Sequence, residues 1–323
     1  MYTVKQYTAQ DFELWNNFVS ASKNGTFLLN RNFMEYHADR FTDFSLLIYD
    51  GQKLVALLPA NSAGEVVHSH QGLTYGGLVL NAKARQETVV LMLRAVLQHL
   101  HESGIETLYI KTIPHIYHKL PSQEMDYALF LTKAILTRRD SLSVIENVKS
   151  VKIAANRMEG VKKGISNGFI VTESDDFESF WQQVLLPNLA NKHGAQPVHT
   201  AKEMVLLKAH FPNNIKLYTV SHNGQIAAGT VIFETHTLAH AQYISGDENK
   251  GTTGSLDFLY HELVTKIYAH KKYFDFGTSN EQQGTKLNRG LAFWKESYGA
   301  RTITQDFYSV PTANFSFLAD VFI

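Results

Sequence analysis

The chain has no cysteine. That removes disulfides, thiolate metal sites and a cysteine nucleophile. It has no excess of charge, with 30 Lys and Arg against 30 Asp and Glu. A surface given over wholly to nucleic acid is disfavoured, although a local basic face is not. No apolar run approaches the length of a membrane span, and Met1-Tyr2-Thr3-Val4-Lys5-Gln6 lacks an apolar signal core. The expectation is a cytoplasmic enzyme or binding protein. Neither HExxH nor a GxSxG elbow is present, so neither a zincin nor a Ser-His-Asp hydrolase has a motif to stand on. His68 and His70 on one strand face, or His115 and His118, have chelating spacing but no acidic third ligand, and the expectation is no metal.

What remains is ordinary for a globular protein: 323 residues, 44% hydrophobic and 19% charged. The length exceeds a usual single core, so two domains are expected. Thr8 to Asp11 reads as a capping box ahead of a helix with Phe12, Trp15, Phe18 and Val19 on one stripe, and Asn32 to Ala38 as a short second helix. Phe44 to Tyr49, the turn Asp50-Gly51 and Lys53 to Leu58 form a hairpin; Val66 to His70 and Gly77 to Leu80 read as further strands. Glu87 to His101 is an amphipathic helix, followed by the buried strand Ile105 to Lys111. The order then returns. Ile215 to Ser221, Asn223-Gly224 and Ile226 to Glu234 form a hairpin, Ala239 to Ser245 a strand, Ser255 to His270 a helix and Tyr273 to Phe276 a strand. The same series at nearly constant offset implies a duplicated fold. Between the copies, Val151, Ala154, Ala155, Met158, Val161 and Ile165 share one helical face. Lys149, Lys152, Asn156 and Lys163 share the other, which could meet an anionic substrate or simply solvent. Ser174-Asp175-Asp176 opens another helix, which Pro187 should kink or end, and Lys202 to His210 is a further helix.

The chain is organised around Tyr273 to Arg301, YFDFGTSNEQQGTKLNRGLAFWKESYGAR. An apolar strand runs into a polar loop with Gly277, Gly284 and Gly290, then a short amphipathic segment closing at Gly299. Polar loops at strand ends over a rigid core are how α/β folds build crevices.

Three stretches, Val151 to Val171, Ala241 to Asn280 and Gly290 to Arg301, resemble the FemAB-type branch of the GNAT-fold acyltransferases: the basic helix, the tyrosine-bearing strand with its polar loop and helix, and the aromatic-Lys-x-x-aromatic-Gly close. The first half matches in layout. The resemblance implies an α/β (α+β) fold of tandem GNAT-like halves, mixed sheets flanked by helices, with the acceptor in a cleft between them. The expected division is 1–145 as an acceptor-side half, 146–310 as the donor and catalytic half, and 311–323 as a Phe-rich tail packing back on the first. The implied reaction is acyl transfer to an amine on a sugar-nucleotide, peptide or cell-wall precursor. The donor would be acetyl-CoA or another acyl-CoA, with aminoacyl-tRNA the alternative; a binding module that has lost its donor is the non-enzyme alternative. The family's phosphate loop is a basic or Gln residue followed by spaced glycines, whose N–H groups hold a pyrophosphate. Glu248-Asn249-Lys250-Gly251-Thr252-Thr253-Gly254 is the best match, with Glu in the basic place and Thr253 where a small residue belongs. Lys250, Gly251, Thr252 and Gly254 could form a phosphate nest. No long helical hairpin interrupts the second half, which lowers the tRNA reading.

Amine acylation needs a base and oxyanion donors. Asp247 and Glu248 after a strand could supply the base, or form a solvated turn. Tyr243 could donate a proton, or pack with its hydroxyl satisfied. Lys295 could pair with an anionic substrate. Asp275, flanked by apolar residues, would face a crevice, and Ser279 and Asn280 are loop candidates. His68, His70 and Tyr75 are acceptor-binding candidates in the first half.

Overall fold

The chain divides into Met1–Asp140 with Thr304–Ile323, and Ser141–Ile303, in a computed structural model that describes residues 2–146, 151–193, 196–222 and 224–323. It leaves the first unit at Asp140 and re-enters it at Thr304.

The first unit contains β1 (Tyr2–Gln6), α1 (Phe12–Ala21), α2 (Arg31–Met34), β2 (Thr42–Asp43), β3 (Leu46–Asp50), β4 (Lys53–Leu58), β5 (Asn61–Ala63), β6 (Val66–His68), β7 (Val79–Leu80), α3 (Gln86–Glu102), β8 (Thr107–Lys111), α4 (Glu124–Leu131) and the start of β9 (Ile135–Glu146). β1, β3, β4 and β7 form one antiparallel sheet. Gly51, at φ 57°, makes the β3–β4 turn. β2, β5 and β6 pair antiparallel, and β6 pairs parallel with β8. The expected face of α3 (Val89, Val90, Leu93, Val96, Leu97 and Leu100) is buried with Leu46, Ile48 and Leu58, and Leu318 of the C-terminal tail joins that core. Val66 to His70 is shorter than expected as a strand. It ends at His68, because His70 turns left-handed at φ 67°, so His68 and His70 do not share a strand face.

The second unit continues β9 and adds α5 (Ala155–Ser166), β10 (Val171–Ser174), α6 (Phe177–Phe180), α7 (Leu186–His193), α8 (Ala201–His210), β11 (Ile215–His222), β12 (Gln225–Glu234), β13 (Leu238–Gly246), α9 (Lys250–Thr253), α10 (Ser255–Glu262), β14 (Tyr273–Thr278), β15 (Asn280–Glu281), β16 (Lys286–Leu287) and α11 (Arg289–Glu296); β17 (Arg301–Pro311) carries the chain out. Strand order here is β10-β11-β12-β13-β14-β9. Only the β13–β14 pair is parallel, as the intervening α10 requires. Pro187 does not end its helix. A π-helical turn, Trp181–Leu185, comes just before it, widening the helix where the proline ring and its missing N–H would disturb an α-helical turn. Gly224 supports the β11–β12 turn at φ 77°; Asn223, like Lys149, lies outside the described residues. Among the described residues, no helix is long and apolar enough to cross a membrane, and no three His, Asp or Glu side chains gather as a metal site.

Candidate functional site

β13 and β14 run side by side for three residue pairs, Leu238↔Tyr273, Ala239↔Phe274 and His240↔Asp275, and the pairing stops there. Two local features turn the strands apart. Gly277 bends β14 at φ 71°, where a side chain would be strained. β13 carries a bulge, since Val231 pairs with Tyr243 and Ile232 with Ala241, leaving Gln242 as the extra residue. Bulges re-aim the backbone and are common beside active sites.

At the last pair of the ladder, Asp275 Oδ2 lies 2.8 Å from His240 Nδ1. The other carboxylate oxygen accepts the Gly277 backbone N–H at 2.7 Å. Asp275 is 1% exposed and His240 9%. Such donors stabilise a buried carboxylate. It fixes the imidazole as the Nδ1–H tautomer, which leaves Nε2 as the basic nitrogen. A Cβ at position 277 would come within 3.3 Å of His240 Cε1, so glycine there serves both the turn and the ring.

Lys295, on α11, is 2% exposed. Its ammonium donates to the carbonyls of Gly277 (3.1 Å) and Thr278 (2.7 Å), locking the turn that ends β14. Burial pushes its pKa down to about 8, against the opposing pull of Asp275. Asn280 Oδ1 accepts from the Ser141 backbone N–H (2.7 Å), the Ser141 hydroxyl (2.7 Å) and Thr278 Oγ1 (2.9 Å). Ser279 is buried, and its Oγ has no hydrogen-bond partner among the described residues. Asp275, Ser279, Asn280 and Lys295 are thus gathered around one strand end.

The second feature of the unit is a cleft of about 770 Å³ at the far end of β13. Phe169, Asn188, His222, Gln225, Asp247 and Lys250 are among its lining residues. This is the loop expected to cradle a pyrophosphate, and most of its N–H groups are already bonded within the loop. The Lys250 N–H bonds the Asp247 carbonyl, those of Thr252 and Thr253 bond the Asn249 carbonyl, and that of Gly254 bonds the Lys250 carbonyl. The Lys250 ammonium bonds the carbonyls of Gly246 and Asp247 at 3.0 and 2.8 Å. Gly254 is covered by α5: a Cβ there would sit 2.0 Å from the Gly160 carbonyl oxygen. A Cβ on Gly251 would meet open space, and Lys250 and Thr252 line the cleft. Asp247 and Glu248 bring carboxylates to the same cleft, and burial raises the Asp247 carboxyl above its usual range.

The remaining candidates lie elsewhere. Tyr243 is buried on β13. Its hydroxyl accepts the His199 backbone N–H at 3.0 Å and lies 2.7 Å from His199 Nδ1. Lys152 is exposed ahead of α5 and Asn156 on its first turn. In the first unit, His68 stacks on Tyr109 at 5.2 Å. His70 is buried, its pKa pushed down to about 3 chiefly by burial, and the Tyr75 hydroxyl bonds Thr26 at 2.7 Å. His240 was not among the residues expected from sequence. Its only signal is a polar residue between Ala239 and Ala241 in a strand, and its partner becomes visible only when the parallel register sets it beside Asp275.

A family model described as an acetyltransferase (GNAT) domain matches residues 148–309. Among solved structures, FemX is similar over 98% of this chain and 99% of its own, at 10% identity and a TM-score of 0.66. L-PGS from Bacillus licheniformis is similar over 96% of this chain and 94% of its own, at 8% identity and a TM-score of 0.60. A tandem GNAT protein from the clavulanic acid biosynthesis pathway is similar over 97% and 99%, at 10% identity and a TM-score of 0.55. At such identities the likeness is one of fold: mixed α/β, in tandem GNAT-like halves. No curated protein sequence matches.

Proposed function

We propose that this chain, which belongs to the acetyltransferase (GNAT) domain family, transfers an acyl group to an amine, with His240 as the general base. The observation that carries this reading is the buried His240–Asp275 pair at the point where β13 and β14 part. The acceptor amine attacks the donor carbonyl carbon, and Nε2 of His240 takes the proton it loses. Asp275 stabilises the resulting imidazolium, as an oriented carboxylate does in other His-based sites. The new N–C bond forms, and the tetrahedral oxyanion needs N–H donors, which the peptide released from the ladder at Gln242 could supply. Collapse breaks the bond from carbonyl carbon to leaving group. The leaving group departs with the electron pair and recovers the proton from the imidazolium.

The residues 146–310 form the donor and catalytic side in this reading, and 1–145 the acceptor side with His68, His70 and Tyr75. Lys295 acts by holding the Gly277–Thr278 turn. Acyl-CoA is the donor the family generally uses, but the closed loop at Lys250–Gly254 argues against a pyrophosphate anchor there. That same observation favours the second reading, an aminoacyl-tRNA donor, with Lys152, Lys162 and Lys163 exposed along one segment. Acyl transfer to a panel of amines, with acetyl-CoA and with charged tRNA as donors, tests both. His240→Ala should lower kcat/KM by about 100-fold or more at a temperature where circular dichroism shows the variant still folded. Undiminished turnover in that variant would remove the base assignment. A tRNA donor should in addition show a KM that rises steeply with salt.

A further inference from the structure

We infer that the outer face of α4 is a self-association surface, on which a second copy of this chain packs antiparallel about a two-fold axis. This stands apart from the acyl-transfer reading. α4 has two sides. Met125, Ala128 and Leu129 are buried in the core of the first unit. Asp126, Tyr127 and Phe130 are exposed, Phe130 by 76% and Tyr127 by 48%. Spacings of three and four residues put them on one stripe, and the two rings stack 6.5 Å apart. The stripe continues past the helix. The Lys133 N–H bonds the Phe130 carbonyl at 3.0 Å, its ammonium lies 4.7 Å over the Phe317 ring, and Phe317 and the nearby Ile135 are 43% and 60% exposed. Contiguous apolar surface rimmed by charge marks an interaction site.

The charges at the two ends of the stripe name the occupant. Asp126 precedes the rings and Lys133 follows them. Asp126 accepts from the Gln123 amide at 3.1 Å. Partial burial raises its carboxyl above the usual range, and the charges of Asp306 and Glu124 add to this against the Gln123 bond; a facing cation would relieve it. Lys133 is left-handed, at φ 54°, just past a helix end where glycine is usual. What a strained lysine adds there over glycine is an ammonium group at the C-terminal end of the stripe. An acid at one end, a base at the other and rings between them match their own copy after a half-turn. The two charges are seven residues apart in the chain, roughly 10 Å at helical rise, and their midpoint falls beside Phe130. An antiparallel copy therefore sets Asp126 against Lys133 of the partner subunit, twice, while the rings close on their counterparts between them. An anionic lipid surface would attract Lys133 but be repelled by Asp126.

Sedimentation velocity of the full chain, from about 1 to 100 µM, reads the association. The wild type should pass from monomer to dimer across that range. Phe130→Ser, at a side chain too exposed to threaten folding, should raise the dissociation constant about tenfold or more. Asp126→Lys and Lys133→Asp each set like charges opposite one another in a homodimer, so each alone should stay monomeric. Mixed one to one, the two variants should form a heterodimer, because both facing pairs are then opposite in sign. Aspartate tolerates the left-handed backbone at 133, and circular dichroism melts check that both variants are folded. The proposal is overturned if the wild type stays monomeric throughout, including the case where that monomer binds vesicles of anionic lipid instead. It is equally overturned if Phe130→Ser dimerises like the wild type, or if the mixture associates no better than its components.

Discussion

At the scale of single residues, the molecule invests most in Asp275. Its carboxylate meets an imidazole on one side and a backbone N–H on the other, at 2.8 and 2.7 Å. Asp275→Asn keeps the shape but replaces one acceptor oxygen with an N–H₂ group. It should favour the wrong imidazole tautomer and lower kcat by several orders of magnitude, roughly as in other His–Asp sites. Initial rates of the variant, with its melting temperature measured alongside, check this; an unchanged rate would show that the pair is only structural. Lys295 makes a separate prediction about stability. Its folded pKa is lowered to about 8 from 10.5, so between those values the unfolded chain binds more protons than the folded one. The sign is therefore positive: stability contributed through this group rises with pH from about 8 to 10.5, with a slope of at most about 1.4 kcal/mol per pH unit. Urea melts of Lys295→Met across that window should lose this rise. Asp275 and Lys295 could be singled out in the sequence because a charge amid FDF and FWKE is conspicuous. His240 could not, since its role depends on a strand pairing between segments far apart in the chain. Asp247 was legible as a polar residue after a strand, but the closed hydrogen bonding of its loop was not, because a glycine pattern does not reveal where its N–H groups point.

At the scale of elements, α5 and α10 pack closely at two glycines. A Cβ on Gly160 would lie 2.0 Å from Asp257 Oδ2, and one on Gly164 would lie 2.4 Å from Phe258 Cβ. Asp257 in turn accepts from Arg157 (3.0 Å), Tyr298 (3.0 Å) and the Trp294 indole (3.4 Å), so it ties α5, α10 and α11 together. Gly160→Ala should push Asp257 from all three partners and cost about 1–3 kcal/mol, the usual range for overpacking. Thermal denaturation measures it; a loss below about 0.5 kcal/mol, ordinary for a surface change, would mean that the helices simply slide apart. The elements themselves were legible wherever one face is buried, as in α3, β3–β4 and β11–β12. β9 was not expected. Its Arg138-Arg139-Asp140 run interrupts the apolar alternation that marks a strand, and the structure accommodates those charges in pairs, Arg138 with Asp140 at 2.6 Å and Arg139 with Asp306 at 2.6 Å. The β15–β16 hairpin was missed for a different reason. Its turn puts Gln282 and Gln283 at positive φ (48° and 56°), where Asn, Asp or Gly would have signalled a turn.

At the scale of the whole molecule, the chain begins one unit, builds the second in full, and returns to finish the first. The repeated order of hairpin, strand, helix and strand made a duplicated fold legible, because element order survives where residue identity does not. The return at Thr304 was not, since nothing in RTITQDFYSVP separates a strand that leaves a unit from one that stays. Its physical content lies in what the last residues bury. β17 pairs with β8 from Phe307↔Lys111 to Pro311↔Thr107. Beyond it Thr312 donates to the Ile105 carbonyl at 2.6 Å, Asn314 to the Thr132 carbonyl at 2.8 Å, and Leu318 is fully buried beside α3 with Phe315 and Val321 packed against the same core. Removing residues 312–323 would therefore open the first unit's core at one edge, at a cost of several kcal/mol once Leu318 alone contributes roughly 2–5. Scanning calorimetry of the truncated chain should show a lower transition for the unit that owns this core. An unchanged melting profile would mean that the tail's contacts contribute nothing net. His240 and Asp275 belong to the other unit, so whatever acyl transfer survives below that lowered transition should retain its dependence on His240.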